Sequence, residues 1–179
     1  GLVYQKSFGV NPYQYGIVGG TDSHNGTMSN VAEDKFMAGS HGGADATVEK
    51  RRTGEVGGWL KGPDLNPGSI TGVWAPQNTR EAIWDGLHDR ETFATSGPRI
   101  KVRFFGQFGA APAPVEYKAM VEHGYANGVP MGGTLKPAAG GAPSFTVWAS
   151  KGANNVDGNL DRIQIIKSWV DDKGEPQDK

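Results

Sequence analysis

The clearest alternation of apolar and polar positions begins with Thr79. In TREAIWDGLHDRE, Ile83, Trp84 and Leu87 recur at helical spacing, and Asn78 or Thr79 stands where an N-cap belongs. Glu81 suits the positive end of such a helix, and Gly86 weakens it somewhat. The pattern predicts a helix over Thr79–Glu91 with Ile83 and Leu87 buried. Upstream, the apolar run Tyr15–Gly19 between Pro12 and a glycine pair reads as a short buried strand. A short helix over Asn30–Met37 is expected from Asn30 as N-cap and Glu33 three residues on. Ser40–Gly72 is polar, glycine-rich and aperiodic. It reads as a long excursion of the kind that is usually functional or disordered.

After a Ser-Gly-Pro turn, Arg99–Phe105 alternates as a strand. Beyond Gly106 the reading is all-β: Lys118–Glu122, Ser144–Ser150 and Arg162–Val170 are the expected strands, separated by Gly, Pro and Asn. AAPAP, at 110–114, is the candidate boundary between a region 1–110 and a β-rich region 111–179. The sequence begins without Met, and after Arg162–Val170 and the turn DDKG it stops within a few residues. That reads as a chain cut in the middle of a hairpin.

Composition narrows the classes. The chain has 179 residues, enough for a domain with its own core. No apolar run approaches the ~20 residues that cross a bilayer, so a membrane span is not expected. The net charge is −1 and Lys and Arg form no stripe, which argues against a nucleic-acid partner. Cysteine is absent, so there are no disulfides, thiolate nucleophiles or Cys-based zinc sites. The 28 glycines, far above the usual ~7%, imply many turns and long connections.

Asp22 and His24, in GGTDSHNG, are the candidate metal ligands. A carboxylate and an imidazole two residues apart on a strand-end loop suit Zn, Mn or Fe, and Gly19, Gly20 and Gly26 let the backbone crowd an ion. An Asp-Ser-His triplet is equally an ordinary solvated turn. Asn25 on the same loop, His41 in GSHGG and Arg99 at a strand start are the candidate substrate-binding residues. An exposed loop histidine and a structural salt bridge are the plainer readings of the last two. His88 reads as a surface residue or one paired with a nearby carboxylate, and His123 as chemically idle. No G-x-S-x-G elbow, Walker A loop or helix-opening G-x-G-x-x-G is present. The five tryptophans share no period and read as core and rim packing.

Four blocks taken together resemble one family: GIVGGTDSHNG, TREAIWDGLHDRETFATSGPRI, GVPMGGTL and LDRIQIIKSWVDDKGEPQ. They look like the C-terminal part of the bacterial family of unknown function numbered 3604, which is related to the PHP (polymerase and histidinol phosphatase) metal-dependent phosphoesterases. The resemblance implies an α/β fold: the C-terminal portion of a distorted (β/α)7 PHP-type barrel, followed by a β-rich appendage. It also implies a cluster of divalent metals at the strand ends. PHP proteins carry an Asp-x-His motif after their last barrel strand, and Asp22 and His24 match it. The family's His-x-His pair and its other acidic and His ligands have no counterpart here. The metals would therefore be completed by ligands outside this chain, with the remainder of the parent polypeptide as a partner. A small phosphorylated or anionic substrate and a periplasmic or secreted location are also implied, with a cytoplasmic one still open.

Two functions are carried forward. One is a fragment of a metal-dependent hydrolase, phosphoesterase-like and inactive by itself, in which a metal-bound hydroxide attacks the substrate. The other is a non-catalytic β-rich binding or interaction module in which TDSHNG is an ordinary turn.

Overall fold

The computed structural model describes residues 1–22, 31–32, 35–36, 39–40, 43–44, 49, 53–61, 68–109, 112–137, 141–153 and 157–179. The chain divides into two compact units, Gly1–Tyr15 with Leu160–Lys179, and Gly16–Asn159. It is a mixed α/β structure of small sheets. Every described ladder is antiparallel, and no barrel is formed among the described residues.

In the first unit, helix α1 (Leu2–Phe8) ends at Gly9, whose φ of 75° is the left-handed value that a glycine C-cap supplies. Tyr4, Phe8, Tyr13 and Tyr15 form a run of ring contacts at its surface. In the second unit, three short hairpins come first: β1 (Val31–Ala32) with β2 (Lys35–Phe36), β3 (Gly39–Ser40) with β4 (Gly43–Ala44), and β5 (Glu55–Val56) with β6 (Leu60–Lys61). The first of these replaces the expected helix over Asn30–Met37, because its described residues pair as strands. The excursion from Ser40 onward thus contains local hairpins, the third turning through Gly57 and Gly58 at positive φ.

β7 (Ile70–Val73) pairs with β8 (Thr92–Thr95), and helix α2 (Arg80–His88) connects them. Thr79 caps α2 as expected, its hydroxyl accepting from the Ala82 N–H at 3.3 Å. The expected burial is corrected. Ile83, Trp84 and Leu87 are exposed, and the buried residue is Gly86, which lies against the Trp74 carbonyl and Val73. Trp84 stacks instead on His88, at 4.8 Å between ring centroids.

The main sheet has the order β10 (Val129–Pro130), β9 (Lys101–Gln107), β11 (Ser144–Ser150). Both β9 and β11 lie close to the spans expected from alternation. One face of β9 carries Arg103, Phe105 and Gln107, all buried. Helix α3 (Tyr117–Asn127) covers that face, with Met120 and Gly124 inward. Phe105 and Met120, 2% and 3% exposed, are the buried apolar side chains among the described residues. The strand expected over Lys118–Glu122 is therefore a helix. Glu116 caps it by accepting from the Lys118 and Ala119 N–H groups at 3.0 and 2.8 Å, and Met120 and Gly124 recur four apart toward Phe105.

The first unit holds the last hairpin, β12 (Ser168–Val170) with β13 (Pro176–Asp178). Asp171 closes it, its Oδ1 accepting from the Lys173 and Glu175 N–H groups, both at 2.9 Å. The expectation that no partner strand forms is overturned, because β13 is that partner. Only the last three residues of Arg162–Val170 belong to a strand. Ile163, Ile165 and Ile166 are exposed and unladdered.

Candidate functional site

Tyr15–Gly19 is not the buried strand expected from its apolar run. It makes no ladder, and Ile17 and Val18 are 65% and 67% exposed. Among the described residues nothing buries these side chains, so an apolar run alone was no measure of burial. What holds the segment is one side chain of β7. The Gly19 N–H donates to Thr71 Oγ1 at 3.0 Å, and the Thr71 hydroxyl donates back to the Gly19 carbonyl at 2.9 Å. A Cβ at Gly19 would lie 2.7 Å from the Ile70 carbonyl oxygen, so only glycine approaches β7 this closely.

Three residues beyond this anchor is Asp22. It is exposed and has φ of 52°, and it is one of two non-glycine residues at positive φ among those described. Asp tolerates that region better than most residues. His24, Asn25 and His41 lie outside the described residues.

Arg99 is half-buried. Its Nη1 donates to the carbonyls of Gly68, at 2.8 Å, and Gly97, at 2.9 Å. It thus ties the approach to β7 to the turn after β8. Among the described residues, no group of three or more His, Asp or Glu side chains is placed to hold a metal ion. Asp22 is a single carboxylate there, short of the four or so ligands a zinc site needs. The described residues therefore do not by themselves fit a metal centre, and no hydrolytic step follows from their geometry.

Two other histidines are described. His88 Nδ1 is 3.2 Å from Asp89 Oδ1 at an exposed helix end. His123 Nε2 is 3.2 Å from Gln107 Oε1, which ties α3 to β9.

Among the described residues, an organised polar cluster involves residues that sequence reasoning passed over. Arg103, at an inward position of β9, places its guanidinium carbon 3.7 Å from the centroid of the Trp74 ring. Its Nη1 donates to the Tyr125 hydroxyl at 2.7 Å and lies 3.5 Å from Glu91 Oε2. The Tyr125 hydroxyl donates in turn to Glu91 Oε2 at 2.6 Å. Burial first, and then the bond to Glu91, raise the Tyr125 pKa above the usual phenol value, so its proton stays in place. The signal was available: KVRFFG puts an arginine on the same strand face as Phe105, and an inward charge needs a partner.

The family model described as Protein of unknown function (DUF3604) matches residues 1–179. No curated protein and no solved structure matches the chain. Among the described residues no helix is long and apolar enough to cross a membrane.

Proposed function

Because that match spans its whole length, the chain belongs to the family Protein of unknown function (DUF3604), and on this premise we propose that it is part of a metal-dependent hydrolase, phosphoesterase-like and related to the PHP enzymes. In this reading Asp22 and His24 are metal ligands on the loop after Gly19. The other ligands and the rest of the barrel come from outside these residues. The observation that supports it is local: a segment strapped to β7 through Thr71 ends at Asp22, an exposed carboxylate held at positive φ immediately before Ser23 and His24. Such backbone conformations persist where the surroundings impose them, and they cluster at ligand sites. The metal, bound as Zn, Mn or Fe, would supply hydroxide at neutral pH and polarise the scissile bond. In this reading Arg99, Asn25 and His41 would be the residues that bind a small anionic substrate.

The test is metal content of the natural polypeptide that contains these residues, measured alongside hydrolysis of p-nitrophenyl phosphate. Metal near stoichiometry that falls sharply in both Asp22→Ala and His24→Ala is the expected result. Undiminished metal in both variants would remove these residues from the site, and an intact metal-free protein would remove the hydrolase reading itself.

A further inference from the structure

A cavity of about 490 Å³ opens between α2, α3 and β9, within the usual size range of small-molecule sites. From α2 and its C-cap it takes Ala82, Asp85, Gly86 and Asp89, spaced three or four residues apart along one side of the helix. From α3 it takes Val121 and Tyr125, one turn apart, and at its floor lie Trp74, Arg103 and Glu91.

Two features set this cavity apart from a packing gap. The first is the orientation of α2. Its apolar residues Ile83, Trp84 and Leu87 are exposed while Asp85 and the C-cap residue Asp89 line the cavity, the reverse of what burial of apolar area favours. The second is at the floor. The Arg103 side chain is only 10% exposed, and its buried Nε has no acceptor among the described residues. Buried donors are rarely left so in a finished structure.

The charges then define the occupant. Arg103 is the cation of the lining, and Glu91 and Tyr125 already answer it. Asp85 and Asp89 remain, one helical turn apart, and like charges at that spacing repel. Asp89 has the exposed His88 beside it, and no lining group balances the pair. We propose that this cavity binds a small organic cation: an amine seated between Asp85 and Asp89, with an apolar body against Trp74 and Val121. An oxygen at the far end of that body would accept from Arg103 Nε.

Three probes of one shape separate charge from shape: tyramine, its neutral alcohol tyrosol, and the anion 4-hydroxyphenylacetate, each titrated into the chain by NMR. Tyramine should bind about tenfold tighter than tyrosol, as expected for two partly screened ion pairs, and the anion should bind weakest. Raising the salt to about 1 M shortens screening to ~3 Å and should erase most of that preference. The double variant Asp85→Asn/Asp89→Asn should lower tyramine to the level of tyrosol, while Glu81→Gln on the same helix should not. Both aspartates are exposed, so circular dichroism of the double variant should match the parent. Equal affinity for the three probes, a preference that survives in the double variant, or no binding of tyramine at millimolar concentration would each overturn the proposal.

Discussion

Helices α2 and α3 are each seated through a glycine, yet they bury opposite kinds of surface. In α3, a Cβ at Gly124 would lie 2.6 Å from the ring of Phe105, and Met120 one turn earlier is buried on the same strand. In α2, a Cβ at Gly86 would lie 2.7 Å from the Trp74 carbonyl oxygen, but no apolar side chain of the helix is buried. Contact through backbone fixes where α2 sits. It leaves the helix's apolar residues exposed and Asp85 and the C-cap Asp89 beside the cavity. Strength and position are thus separable: α3 is held by hydrophobic burial, α2 by a close approach and a cap.

The largest effect should expose that contrast directly. Phe105→Ala removes the ring under Gly124 and is expected to cost ~3–5 kcal/mol in a urea melt. Leu87→Ala, on the exposed face of α2 and 46% accessible, should cost under ~1 kcal/mol. A Leu87 effect approaching that of Phe105 would mean that the face of α2 is covered in solution, and the contrast would fail.

A smaller effect tests whether the glycines do the seating. Ala normally stabilises a helix interior by ~1 kcal/mol over Gly. At Gly86 the new methyl would meet a backbone carbonyl that cannot turn aside, so a net loss of ~1–3 kcal/mol is expected. Gly124→Ala should lose stability as well. A melt showing either variant more stable than the parent would show that its helix can lift without penalty.

The smallest effect concerns the cap of α3. Two backbone N–H bonds hold the Glu116 carboxyl below the ordinary glutamate pKa, the bond from Ala119 having the larger influence. A carboxylate whose folded pKa is depressed stabilises fully above the unfolded value, and its contribution is lost as pH falls through the folded one. Helicity should therefore decline modestly on acidification below the ordinary glutamate range. Glu116→Gln should flatten that part of the curve. An unchanged acid profile in the variant would assign the loss to other carboxylates.

Much of this was legible in the residues. Thr79 ahead of an amphipathic run gave the start of α2, and alternation located β9 and placed β11 at Ser144–Ser150. Family membership followed from separated blocks of sequence, and the match over residues 1–179 bears it out. For the site, the sequence supplied Asp22 as a candidate but not its geometry. The strap from Thr71 spans 52 positions of sequence separation, and no local pattern encodes such a bond.

By itself, then, the sequence determined those things that depend on neighbours along the chain: caps, alternation, turns such as Asp171–Gly174, and the family. Tertiary structure decided which face of each element is covered. Ile17, Val18, Ile83 and Leu87 are as apolar as Phe105, but burial depends on what the rest of the fold brings against them, and only Phe105 receives a helix. The same contacts decided that Lys118–Glu122 is helical, because Met120 and Gly124 share a face only in a helix. They also decided that Arg103 stands at the centre of an organised polar cluster among the described residues. A charge on an inward strand face is held only where Glu91, Tyr125 and Trp74, distant in sequence, converge on it.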